Sequence, residues 1–153
     1  MKKSNIAVLG CGRIGQMHAK NVALHEMTSL ACVYDINEDF ANNVATDLGV
    51  HAVTKDSEIF SNAEIDAVLV ASPTDTHIEF IEKSVAAHKP VLCEKPIDLD
   101  INKVTESAER LKGTNVPIQL GFNRRFDPGH QEAKKCLLNG ALGDMYPCII
   151  RSR

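Results

Sequence analysis

Residues 6–15 read IAVLGCGRIG, and this stretch decides the fold. A short apolar run passes into the pattern G-x-G-x-x-G, and apolar residues at helical spacing follow. In such a pattern the first glycine permits a tight turn, the second lets the main chain approach a pyrophosphate, and the third lets the helix pack closely on the strand. Free N–H groups at the start of that helix would bind the anion. The residues expected to hold a dinucleotide here are Gly10, Gly12, Arg13, Ile14 and Gly15.

Asp35 ends the next apolar run, residues 30–34, and lies 20 positions after Gly15. A carboxylate at this point accepts hydrogen bonds from the ribose hydroxyls of adenosine. The 2′-phosphate of NADP would meet a like charge instead, and two such charges about 4 Å apart repel by roughly 4 kcal/mol near a protein surface. The sequence therefore predicts NAD rather than NADP as the cofactor. The alternative is that Asp35 only caps a turn, although Asn37 is better placed to cap the following helix.

The rest of the chain alternates short apolar runs with longer stretches of helical period, which is typical of βαβ units. We expect an α/β Rossmann fold, with a doubly wound, mostly parallel sheet and helices on both faces. The predicted strands are residues 6–9, 30–34, 67–71, 91–93 and 118–122.

Local signals also mark the helices between these strands. Asn37 and Asp127 are predicted N-caps, Pro128 follows Asp127 at the first helical position, and a third helix is expected to start near Asp98. The apolar positions expected to be buried on three of the helices are, in chain order, Phe40, Val44 and Leu48; Ile78, Ile81 and Val85; and Ile101, Val104, Ala108 and Leu111.

Composition excludes several classes of function. A chain of 153 residues has room for one α/β domain, and 17 basic against 20 acidic residues leave no basic surface for nucleic acid. No apolar run is long enough to span a membrane and no export signal is present, so we expect a cytoplasmic protein without a membrane partner. Five cysteines without a C-x-x-C pair indicate reduced thiols packed as small hydrophobic groups, and no metal site is expected.

Three further segments carry a family resemblance: SPTDTH at residues 72–77, the triplet Glu94-Lys95-Pro96, and GFNRRFDP at residues 121–128. With the glycine loop, they make the chain resemble the glucose-fructose oxidoreductase, inositol dehydrogenase and rhizopine-catabolism (Gfo/Idh/MocA) family. Within that family the chain is most similar to the inositol 2-dehydrogenases. The resemblance covers essentially all of the chain, and the triplet is its most specific part.

The resemblance implies a hydride transfer from a secondary alcohol of a polyol or sugar, such as inositol, to NAD. It implies that Lys95 is the catalytic residue of this chain, touching both cofactor and substrate hydroxyl, and that Asn123 and Arg124 lie on the substrate side. A cation such as Lys95 can stabilise the alcohol oxygen as it becomes a carbonyl. The further residues implied to bind the cofactor are Ser72, Thr74, His77, Glu94 and Lys95.

The expected organisation is an NAD-binding core over residues 1–122, followed by a terminal helix and crossover strand over residues 123–153. In the family a second α/β domain binds the substrate, and this chain is expected to be a fragment without it, inactive alone. Exposed apolar groups would then favour a homo-oligomer. The alternatives are a stand-alone, non-catalytic NAD-binding module and a sugar oxidoreductase that keeps its cofactor bound.

Overall fold

The computed structural model describes residues 2–144 and 146–149, and the chain divides into two compact units, residues 1–121 and 122–153. The first unit contains a six-stranded sheet in which every pairing is parallel and the strand order is β3-β2-β1-β4-β5-β6. The strands are β1 (Ser4–Leu9), β2 (Thr28–Tyr34), β3 (His51–Val53), β4 (Ala67–Val70), β5 (Val91–Cys93) and β6 (Ile118–Leu120). This strand order is that of a doubly wound dinucleotide-binding sheet, which confirms the predicted fold class.

Helices connect the strands and cover both faces of the sheet. They are α1 (Arg13–Leu24), α2 (Glu38–Leu48), α3 (Asp56–Ser61), α4 (His77–Ala86), α5 (Ile101–Arg110) and, in the second unit, α6 (Pro128–Leu138). One core contains Val8 and Val33 together with Ala19 of α1 and Val44 of α2. A second core contains apolar side chains of α3 and α4 with those of the sheet strands β1, β2, β4 and β5.

Two short elements were not predicted, and two predicted strands were too long. β3 has three residues and α3 has six, which is too short for either to show a periodic apolar pattern. β4 ends at Val70 and β6 at Leu120, because the residues that follow turn away into the loops at the carboxyl edge of the sheet.

The buried faces of α2 and α4 match the expected ones only at Val44 and Ile81. On α2 the buried residues are Ala41, Val44 and Ala45, whereas Phe40 is half-exposed. Small side chains allow the close approach of this helix to the sheet, and a search for large apolar residues overlooks them. On α4 the buried residues are His77, Phe80, Ile81 and Ser84, while the predicted Ile78 and Val85 are only partly buried.

The predicted apolar stripe of α5 is confirmed only in part, since Leu111 packs against the second core whereas Ala108 is exposed. The helix also packs through polar contacts. Ser107 is its one buried residue, and Ile101 is 72% exposed. Ser107 Oγ and the Arg110 guanidinium both donate to Glu82 Oε1 on α4. Asp100, not Asp98, caps the helix by accepting from Asn102 N–H at 2.8 Å.

The predicted caps of α2 and α6 are confirmed. Asn37 Oδ1 accepts from Asp39 N–H at 3.0 Å, and Asp127 Oδ1 accepts from His130 N–H at 3.0 Å, with Pro128 in the first turn. The crossover strand expected after the terminal helix corresponds to the apolar stretch at residues 145–150, and both ends of this stretch, Met145 and Ile150, lie outside the described residues. Residues 146–149 form no helix or strand.

Three cysteines, Cys11, Cys32 and Cys93, are free and buried, as the sequence predicts. Burial raises the pKa of Cys11 to about 12, with a further contribution from Asp35, so this thiol stays protonated. Cys148 is exposed, so the expectation of a packed thiol is wrong there. In the part of the chain that the structure describes, no helix is long and apolar enough to cross a membrane.

Candidate functional site

The turn between β1 and α1 requires glycine at position 10. Gly10 has a φ of +94°, and its N–H donates to Tyr34 O at 2.7 Å. A Cβ on Gly10 would lie 2.5 Å from the carbonyl carbon of Ala71, so the loops after β1 and β4 approach each other too closely for any side chain. These two strands are the neighbours at which the chain reverses its winding direction, and ligands of such sheets bind at that point.

Gly12 and Gly15 have different surroundings. A Cβ on Gly15 would lie 2.7 Å from the carbonyl carbon of Gly10 and closer still to its oxygen, so Gly15 allows α1 to pack on the turn. A Cβ on Gly12 would meet no atom within 4 Å. The backbone at Gly12 therefore borders open space, which is the surface that a ligand could approach.

The N-terminus of α1 is available to an anion. Gly12 is its N-cap, no side chain caps the helix, and its first turn contains no acidic residue. The first N–H groups of a helix have no partner within the helix, and its dipole favours negative charge there. A diphosphate therefore fits the loop that contains Gly12.

Asp35 joins the glycine loop to the start of α2. Its Oδ2 accepts from Cys11 N–H at 2.7 Å, and its Oδ1 accepts from Asn37 N–H at 2.9 Å. Asn37, and not Asp35, caps α2. Each carboxylate oxygen accepts only one of these bonds and keeps capacity for a further donor, such as a hydroxyl group.

A cavity of about 360 Å³ lies beside Asp35. Ile36 and Pro73 give it apolar walls, and Ile36 is 88% exposed. Ser72 also lines the cavity, and its Oγ lies 2.7 Å from Thr76 Oγ1. Apolar walls beside a carboxylate suit a ligand with an aromatic base and a sugar.

His77 lies beneath this surface rather than on it. It is 2% exposed, with Nε2 2.9 Å from Ser72 O and Nδ1 2.7 Å from Pro96 O. His77 therefore ties the loop after β4 to the loop after β5, and it does not line the groove as the resemblance implies. Thr74 lines a separate cavity with Asp98.

Glu94 and Lys95 follow β5 on the same edge of the sheet. Glu94 Oε1 lies 2.9 Å from His18 Nε2 on α1, and Glu94 Oε2 accepts from Lys95 N–H at 3.2 Å. A Cβ on Gly121 would lie 3.2 Å from this carboxylate, so the glycine leaves room for it. No local sequence pattern points to His18, because its partner lies 76 residues away.

Asn123 and Arg124 belong to the second unit, in a short 3-10 turn before α6. Arg124 Nη1 lies 3.4 Å from Asp127 Oδ2. Hydrogen bonds from His130 lower the pKa of Asp127 to about 2. Arg124, Arg125 and Lys134 border a basic cavity of about 560 Å³ within this unit.

A family model described as an oxidoreductase family with an NAD-binding Rossmann fold matches residues 4–122. The chain belongs to this oxidoreductase family. The match confirms the family resemblance and the prediction of an NAD-binding fold, and it includes the glycine loop, Asp35 and the triplet Glu94-Lys95-Pro96.

Curated relatives support the same placement. The chain is 39% identical over 146 residues to an inositol 2-dehydrogenase of Rhizobium meliloti (strain 1021), a match that covers 95% of this chain and 44% of the relative. It is 38% identical over 139 residues to a scyllo-inositol 2-dehydrogenase (NAD(+)) of Bacillus subtilis (strain 168), covering 90% of this chain and 41% of the relative. The chain thus spans less than half the length of these relatives.

Solved structures show the same fold. A scyllo-inositol dehydrogenase from Lactobacillus casei, crystallised with NAD(H) and scyllo-inositol, superposes with a TM-score of 0.87 at 34% identity. The superposition covers 94% of this chain and 43% of that protein.

Proposed function

We propose that this chain is the NAD-binding part of a dehydrogenase that transfers a hydride from a secondary alcohol of a polyol, such as inositol, to NAD. The observation that carries the proposal is the arrangement at Gly12 and Asp35. An uncapped helix N-terminus borders open space at Gly12, and the adjacent Cys11 N–H is bonded to the Asp35 carboxylate.

The N-terminus of α1 and the Asp35 carboxylate bind different parts of the cofactor. The first N–H groups of α1 hold the diphosphate, and Arg13, Ile14 and Gly15 supply them. Asp35 accepts from the ribose hydroxyls of adenosine while it keeps its bond to Cys11. A 2′-phosphate at that ribose would face the Asp35 carboxylate, so NAD is preferred over NADP.

The loop after β5 contains Glu94 and Lys95, the residues of this chain that act in the hydride transfer. When bound, NAD supplies a hydride acceptor. Lys95 donates a hydrogen bond to the substrate oxygen and stabilises the charge that develops there. The His18–Glu94 pair fixes the side chain that directly precedes Lys95.

The relatives support inositol as the substrate class, because their names specify inositol 2-dehydrogenases. Asn123 and Arg124 contact the substrate in this proposal. Residues 1–122 form the cofactor domain, residues 123–153 lead out of it, and the assembled protein is a homo-oligomer.

Turnover measurements test this proposal. The complete gene product that contains this chain is mixed with NAD and myo-inositol, scyllo-inositol or glucose, and NADH formation is followed by absorbance. The expected result is NADH formation with at least one inositol, whereas the 153-residue chain alone binds NADH without turnover. Absence of NADH formation with every polyol, together with tight NADH binding, would favour a non-catalytic NAD-binding module instead.

A further inference from the structure

A charged network lines the same cavity as Asp35. Lys83 Nζ donates to Asp56 Oδ2 and to Glu79 Oε1. Asp56 is the first residue of α3, whereas Glu79 and Lys83 lie one turn apart on α4, and all three line the cavity. The network thus connects two helices at the wall of the candidate adenosine site.

The cavity is electronegative. Among the described residues that line it, Lys83 is the only basic residue, against the four carboxylates of Asp35, Asp56, Asp75 and Glu79. A 2′-phosphate carries up to two negative charges, and these carboxylates would repel it. Enzymes that accept NADP instead place a cation, commonly an arginine, near that phosphate.

Of the described residues around this cavity, only Lys83 could serve as such a cation, and its ammonium group is bonded to carboxylates instead. Two of its three donors are bonded to carboxylates, and Nζ lies 5.6 Å from the centre of the Phe80 ring. The hydrogen bonds that Lys83 donates to Asp56 and Glu79 also raise the pKa of Lys83, so the ammonium stays charged and paired.

We propose that Asp56 and Glu79 determine cofactor specificity together with Asp35, because they hold Lys83 in ion pairs and so withhold it from a 2′-phosphate. This inference rests on the proposed function, which places the adenosine ribose at Asp35. It assigns discrimination against NADP to two carboxylates that lie outside the glycine loop and outside the segment formed by β2 and Asp35.

The test replaces both carboxylates by amides of the same size. The dissociation constants of NADH and NADPH are measured by calorimetry for the unmodified chain and for the double variant Asp56→Asn, Glu79→Gln. Because Lys83 is released and two negative charges are removed, the preference for NADH over NADPH should fall at least about tenfold, or about 1.4 kcal/mol. Addition of Lys83→Met to this variant should reverse most of that change.

Glu109→Gln with Glu132→Gln is the matched control. These two exposed carboxylates also pair with lysines, and neither lines the cavity. The control should keep the original preference. If the double variant fails to fold, Glu79→Gln alone serves, since this side chain is 59% exposed, and it should lower the preference by roughly threefold.

The outcomes separate this inference from the proposed function. An unchanged preference in a folded variant that still binds NADH would overturn the role of Asp56 and Glu79 alone. Failure of the unmodified chain to bind NADH would overturn the proposed function, and this inference with it.

Discussion

Alanine substitutions at Gly12 and Gly15 should separate ligand binding from folding. Gly12 has φ −68° and ψ −175°, which alanine adopts without strain, and an added Cβ meets no atom within 4 Å. Alanine at an N-cap destabilises the folded state by up to about 1 kcal/mol. It also lowers the conformational entropy of the unfolded chain, which stabilises the folded state by about 0.4–1 kcal/mol. The free energy of unfolding of Gly12→Ala should therefore stay within about 1 kcal/mol of the original.

The added methyl group of Gly12→Ala instead occupies the space through which the diphosphate approaches. Loss of one hydrogen bond to a charged group costs about 1.5–3 kcal/mol, so NADH affinity should fall about 10- to 150-fold. Urea denaturation and NADH fluorescence titration measure the two effects on the same sample.

Gly15→Ala should show the opposite pattern. Its Cβ would overlap the backbone carbonyl group of Gly10, which no side-chain movement can relieve. Such a clash costs about 3 kcal/mol, at the upper end of the usual range for an added group in a packed site. Alanine gains about 1 kcal/mol over glycine in helix propensity. The free energy of unfolding should therefore fall by about 2 kcal/mol or more. The reasoning is refuted if Gly12→Ala binds NADH as tightly as the original, or if it unfolds as easily as Gly15→Ala.

Three further predictions follow from the site and from α6. His77→Phe removes the buried imidazole that contacts the carbonyl groups of Ser72 and Pro96 and leaves at least one of them without a donor, so it should lower the free energy of unfolding by about 1–3 kcal/mol in urea, whereas the exposed His51→Gln should not. Lys95→Ala should abolish NADH formation by the complete gene product and leave NADH binding in calorimetry largely unchanged; normal turnover would exclude the proposed role. Since folding lowers the pKa of Asp127 from 3.8 to about 2, its stabilisation of α6 is present above pH 3.8 and is lost as the pH falls towards 2. Circular dichroism should show this loss in the original chain but not in Asp127→Asn, and identical acid profiles would contradict it.

Local patterns explain what the sequence predicts correctly. The glycine loop, the carboxylate of Asp35 directly after β2, and the caps at Asn37 and Asp127 each depend on residues within a few positions of one another. Their geometry follows from backbone conformation and from hydrogen bonds to neighbouring N–H groups. Such features are visible in a single sequence.

Contacts between distant segments explain the rest. Lys83 donates to Asp56, which lies 27 residues away in the sequence, and His18 contacts Glu94, which lies 76 residues away. Neither pair shows a spacing pattern. Helix faces were misassigned where a small or polar residue, such as Ala41 or Ser107, makes the closest contact. Burial there depends on how closely two elements approach, which hydrophobic periodicity does not report.

The most direct test of the account is an NMR titration of the isotope-labelled chain with NADH. The largest amide shifts should fall on residues 11–15, where the diphosphate binds, and on Asn37, whose N–H is bonded to Asp35. Saturable binding of NADH that leaves these amides unshifted, or no binding at all, would contradict it.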